Sequence, residues 1–217
     1  MADRIRPPRQ ARSVASMTRM LDAAEMLFAA GGAEAVTIEA VVREAGTSVG
    51  SLYARFTDRS GLLAAMHGRF LERMQEETGT AVAAAVRERT LSRAVRAFVK
   101  HLIPTARRHR DSILFFVVVS ATDSRLRSQG LAANPGFAAA FAAAVMPFRQ
   151  QISHPNPKAA IDLAFQVLFA MFVQRAMFTP KEAAGRAVSD AALAEEIADC
   201  MVAYLSGPPR GRESGVT

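Results

Sequence analysis

Apolar residues recur at helical spacing along most of the chain. Between Val14 and Ala30, the positions Met17, Leu21, Ala24 and Phe28 mark one face of a first helix, which Gly31 and Gly32 stop. Thr37 is placed to cap a second, short helix striped by Ile38, Val41, Val42 and Ala45, and Gly46 ends it. Ser48 can then cap a third, striped by Val49, Leu52, Tyr53 and Phe56, so that two helices of about eight residues are joined by about three. That is the outline of a helix-turn-helix. Asp58 can cap a fourth helix carrying Leu62, Leu63, Met66, Phe70 and Met74 to about Thr78.

Further on, breakers separate the stripes. Thr90 heads a helix through Leu91, Val95, Phe98, Val99 and Leu102, which Pro104 breaks or kinks. A helix follows over 111–121; its run Val117, Val118, Val119 has strand propensity, but no second strand is there to pair with it. Asn134 and Pro135 predict the next start, with Phe137, Phe141, Val145 and Phe148 on one face and a kink near Pro147. After a loop at 153–157, residues 159–178 are apolar nearly all round, and Asp190 to Leu205 carries a last stripe. The expected fold class is all-α.

The absence of Trp and the abundance of alanine agree with that class. A net charge of +7 suits a polyanionic partner, although it also serves solubility. One cysteine, Cys200, excludes an internal disulfide framework and a cysteine metal cluster, and suits a reducing compartment. No secretory signal pattern opens the sequence, and Asp162, Gln166, Gln174 and Arg175 interrupt the most apolar helix, so a cytoplasmic protein with no membrane partner is expected. His67, His101, His109 and His154 lack ligand spacing, and no nucleophile, phosphate loop or cofactor motif accompanies them. The expectation is a protein that is not an enzyme and needs no cofactor or metal.

The outward side of the third helix bears Ser48, Gly50, Ser51, Ala54 and Arg55, small or basic side chains that let a helix lie close to a groove. With Thr37, Ile38, Val41, Ala45, Gly46, Thr47, Ser48, Gly50, Ser51, Leu52, Tyr53, Phe56, Asp58, Arg59 and Leu62 in order, the run resembles the DNA-binding domain of TetR-type bacterial transcriptional repressors. The resemblance is strong over about residues 14–65 and rests elsewhere on length and helical character. It implies a helix-turn-helix domain at 14–60 and a helical ligand-binding and dimerisation domain at 61–206, while Pro7, Pro8 and the arginines Arg4, Arg6, Arg9 and Arg12 predict a flexible basic arm at 1–13, and a loose tail is expected at 207–217. It also implies double-stranded operator DNA as partner, contacted by Thr37, Ser48, Val49, Gly50, Ser51, Tyr53, Arg55 and Arg59. Thr37, Tyr53, Arg55 and Arg59 are expected on phosphates. Val49 departs from the lysine that many family members carry, and offers an apolar contact in its place.

For the C-terminal domain the resemblance implies a small apolar or amphipathic effector. Phe116, Phe137, Phe141, Phe165 and Phe169 are the aromatic candidates, and His101, Gln166 and Gln174 the polar ones. The last two helices, 159–178 and 190–205, are expected to form a homodimer as a four-helix bundle, with Leu168 at its seam. The fourth helix is expected to link the two halves, so that its tilt would move the third.

Overall fold

The computed structural model describes residues 9–207. Most of these residues are helical, and no strand occurs among them. Arg4, Arg6, Pro7 and Pro8 of the expected arm lie outside them, as does the tail beyond Gly207. The first helix, α1 (Arg9–Ala35), begins five residues before the expected start, within the residues assigned to the arm. Its helical geometry fails where the glycines predicted, at Gly31 and at Gly32 with φ +66°. Next come α2 (Ile38–Glu44), α3 (Val49–Phe56) and α4 (Arg59–Ala85).

Beyond these lie α5 (Leu91–Arg108), α6 (Arg110–Ser120), α7 (Ser124–Val145), a 3-10 turn (Met146–Gln151), α8 (Pro157–Met177), α9 (Pro180–Ala184) and α10 (Asp190–Ser206). The valine run is helical, in α6. Pro135 sits inside a continuous helix, against the expectation of a start, and α5 runs on through Pro104, which leaves only the kink of the two outcomes expected there. A proline removes the bond to the carbonyl four residues back. Those carbonyls belong to Lys100 and Leu131, both exposed, so water can serve them. The true start of α7 is set by Asp123, whose Oδ1 accepts from the backbone N–H of Arg125 at 2.9 Å and Leu126 at 3.1 Å. The break near Pro147 is present, as the α-helix gives way to the 3-10 turn.

The chain divides into two compact units: the N-terminal chain to Phe70 with Val119–Gln129, and Leu71–Val118 with the chain from Gly130. The helix α4 contributes to both. In the first unit Met20, Leu21, Ala24, Val36, Val41, Leu52, Phe56, Leu62, Met66 and Leu126 are buried. The corner between α6 and α7 belongs to it through Asp123, whose Oδ2 accepts from Ser60 Oγ at 2.7 Å. The Ser60 bond and the two backbone N–H groups hold the Asp123 carboxyl below its ordinary range.

The second unit has one large core, in which α5 packs on α8 and α10. Phe98 meets Phe141 edge-on at 5.3 Å, near the geometry that aromatic quadrupoles favour. Around it, Lys100 and Arg96 of α5 pair with Glu195 of α10, and Arg107 and Arg175 share Asp190 at 2.7 and 2.6 Å. On α4, Glu77 Oε2 accepts from Thr105 Oγ1 at 2.8 Å and from Arg108 at 2.9 Å, while its Oε1 lies 2.6 Å from His109 Nε2. Partial burial pushes this carboxyl up, but the Thr105 and His109 hydrogen bonds and the neighbouring positive charge outweigh it and hold it low.

By length and composition both α7 with its 3-10 turn and α8 could cross a membrane. In α8, Ala160, Ile161, Ala164 and Leu168 are buried, with α5 and α10 packed beside it, while the opposite side stays exposed. This corrects the expectation for Leu168: only 1% exposed, it belongs to the core of the second unit and not to an outward seam. The outward residues of α8 include Leu163 and Val167, at 46% and 43% exposure, with Ala159, Asp162, Gln166 and Ala170 beside them.

Candidate nucleic-acid interface

Two short helices, α2 and α3, form the helix-turn-helix, and small local groups fix each end. Thr37, in extended conformation, accepts the Ala40 N–H on its Oγ1 at 3.1 Å and so opens α2. At the other end Gly46 takes φ +58°, with its N–H bonded to Arg43 O at 3.3 Å and the Thr47 N–H to Val42 O at 3.1 Å. This is a Schellman closure, which needs a residue at ease in the left-handed region. One residue later Ser48 opens α3 by accepting the Ser51 N–H at 3.1 Å.

The exit from α3 is tighter still. Thr57 holds φ +63° and ψ −49°, a costly conformation for a β-branched residue, of order 1–3 kcal/mol. Asp58 then caps α4 by accepting the Gly61 N–H on Oδ1 at 2.7 Å. A Cβ at Gly61 would lie 1.7 Å from the Phe56 carbonyl oxygen, so the turn closes only with glycine there. Leu52 and Phe56 anchor the inner face of α3 in the core. The angle between α3 and α4 is thereby set by backbone, not by long side chains.

The residues read from the sequence as DNA-facing occupy three kinds of place. Ser48, Val49, Gly50 and Tyr53 are exposed on one helix, with Val49 at 45% and Tyr53 at 47%, and Ser51 is half-buried among them. Thr37 and Ser48 use one lone pair for capping, which leaves each hydroxyl proton to donate outward. The two arginines are folded back. Arg55 donates from Nη1 to Ser51 O at 2.9 Å and from Nε to Ser13 O at 3.5 Å. Arg59 donates from Nε to Val36 O at 3.0 Å and from Nη2 to Ala33 O at 3.1 Å. Sequence reasoning gave Arg59 a phosphate and missed this bracing of the segment between α1 and α2, which periodicity cannot reveal across more than twenty residues.

Of the effector candidates, the structure brings three together. Phe141 and Phe165 have ring centroids 6.4 Å apart, and Phe165 stacks on Phe169 at 5.9 Å. Phe141 is fully buried against Phe98, whereas Phe165 and Phe169 are half-buried. Phe116 pairs with Phe115 at 5.0 Å, and Phe137 and Gln174 are half-buried. His101 and Gln166 are exposed; His101 turns Nδ1 to Ala97 O at 2.8 Å. No group of three or more metal-ligating side chains occurs among the described residues.

The family model of bacterial regulatory proteins of the tetR family matches residues 20–66, which run from α1 through the helix-turn-helix into α4. No curated protein matches the chain. Among solved structures the chain is similar to GusR of Salmonella enterica, at 17% identity and TM-score 0.66 over 92% of this chain and 99% of that one. It is similar to the TetR-family transcriptional regulator PfmR of Thermus thermophilus, at 18% identity and TM-score 0.56 over 85% and 97%. AibR, solved in complex with isovaleryl coenzyme A and operator DNA, is similar at 18% identity and TM-score 0.58 over 89% and 99%. Residues 20–66 thus match the DNA-binding domain of bacterial regulatory proteins of the tetR family, and the chain shares its fold with such regulators over most of its length.

Proposed function

We propose that the protein is a ligand-responsive repressor that binds a palindromic operator as a homodimer. One observation carries the DNA reading: α3 is fixed by the Ser48 side-chain cap at one end and the Thr57 turn at the other, while Val49, Gly50, Tyr53 and Ala54 are exposed along it. A helix so presented suits the major groove, with hydroxyls and spare guanidinium donors available to phosphates. The exposed Leu163 and Val167 of α8, with Ala203 and Tyr204 of α10, support the dimer, since such faces pack as a four-helix bundle. In the simplest arrangement two α3 helices then stand about 34 to 36 Å apart, one turn of DNA.

The series Phe141, Phe165, Phe169 supports an apolar or amphipathic effector, and AibR, which shares the fold, has an acyl-coenzyme A ligand. Because α4 contributes to both units, a ligand preferring the DNA-incompetent state by about 3 kcal/mol would weaken operator binding roughly a hundredfold. The test is a gel shift on the intergenic duplexes flanking the gene. Specific binding that unlabelled specific duplex removes and random duplex does not is expected, and binding that random duplex removes equally well would refute the reading.

A further inference from the structure

None of the exposed side chains of α3 and its cap is charged. Ser48, Val49, Gly50, Tyr53 and Ala54 are exposed, while Arg55, the one cation of the helix, is bent onto the Ser51 and Ser13 carbonyls. Arg59 is engaged with Ala33 and Val36. Guanine is read in the major groove by arginine or lysine, adenine by asparagine or glutamine, and cytosine by a carboxylate. None of these stands outward on α3. What stands there is the isopropyl group of Val49 and the methyl group of Ala54, flanked by hydroxyls.

Gly50 sharpens the point. A Cβ built there meets nothing within 4 Å, and its φ is not in the left-handed region, so the fold does not require glycine. Glycine inside an exposed helix costs stability relative to alanine. What it provides is a bare strip of backbone beside Val49, along which a base edge can come close.

Resting on the DNA-binding reading above, we infer that α3 recognises the C5-methyl groups of thymine, with Val49 the specificity-determining residue and Gly50 granting the approach. Phosphate contacts place the helix, and the methyl contact selects the sequence. A half-site read in this way carries thymine opposite Val49.

The experiment begins by selecting duplexes from a randomised library with the full-length protein. The tightest duplex is then resynthesised with deoxyuridine replacing one thymine at a time, which removes only the methyl group. At one thymine in each half-site the wild type is expected to lose about fourfold in affinity, the worth of one buried methyl group. Val49→Ala should bind the parent duplex more weakly, melt at the wild-type temperature and no longer distinguish thymine from uracil at that position. Gly50→Ala should melt higher and bind less tightly. Reselection with Val49→Lys should move the preferred base there to guanine. A selected duplex with no uracil-sensitive thymine, or a sensitivity that survives Val49→Ala, overturns the inference while leaving DNA binding intact. A library that yields no enriched sequence overturns DNA binding itself, and the inference with it.

Discussion

The helices α3 and α8 each have one face in a core and one in solvent, yet they are held in different ways. The eight residues of α3 are too few to persist alone, and it keeps its place through Ser48 at one end and the Thr57–Gly61 corner at the other. The longer α8 keeps its place by burying Ala160, Ile161, Ala164 and Leu168 beside α5 and α10. Their outward faces differ accordingly: α3 shows hydroxyls and small groups, α8 shows Leu163 and Val167. A helix that shows hydroxyls and small groups can be short and fixed by its ends, whereas one that shows large apolar side chains is here long and fixed by packing.

The sharpest way to break this contrast is to place the same charge on the two sides of α8. Leu168→Glu would bury an unpaired carboxylate in the second unit's core, costing several kcal/mol and unfolding it. Leu163→Glu, on the outward side, should leave the melt near the wild-type temperature and yield monomers by sedimentation. A Leu163→Glu protein that stays dimeric would remove α8 from the interface.

The next largest effect is expected at the corner after α3. Gly61→Ala forces a Cβ into the Phe56 carbonyl and should cost about 1–3 kcal/mol or more in thermal unfolding. Operator affinity should fall further than the lost stability explains, because α3 is reoriented. Equal affinity at a temperature where the variant is folded would show that the corner does not aim the helix.

Smaller again is Arg59→Ala, which removes the hydrogen bonds to Val36 O and Ala33 O at about 1–3 kcal/mol in unfolding. If Arg59 only braces, the slope of log affinity against log salt stays as it was. A slope shallower by about one would return it to a phosphate.

Much of the first unit was legible because its signals are local. Thr37, Gly46, Ser48 and Asp58 each act within three or four residues of themselves, so residue type and spacing were enough to foresee the caps that the structure shows. The start of α7 differs for the same reason: Asn134 and Pro135 look like an opening, but the helix has already begun at Ser124, behind Asp123. The capping box of Thr179 and Glu182 is a local signal of the same kind, and it opens the short α9. What could not be read locally is pairing across the chain, as between Ser60 and Asp123 or between Glu77 and His109. Leu168 and Gln166 show the same limit, since an all-round apolar helix does not announce which side its neighbours occupy.

The smallest expected effect is in pH. The folded-state carboxyl of Glu77 lies below its ordinary value of 4.5, so its contribution is fully present above that value and is lost as pH falls through the lower, folded value. Glu77→Gln should therefore flatten the acid limb of the second unit's stability curve and leave the neutral region lower by a constant amount. An unchanged acid limb would mean that the Thr105 and His109 contacts do not discriminate between the carboxylate and its acid.

The division of labour within α3 has an evolutionary consequence. The positions that hold it, Ser48, Leu52, Phe56 and the corner after them, are distinct from the positions that face outward, Val49, Gly50, Tyr53 and Ala54. Mutations at the outward set leave the scaffold standing, so a duplicated copy of this gene could drift through many recognition surfaces without first passing through an unfolded protein.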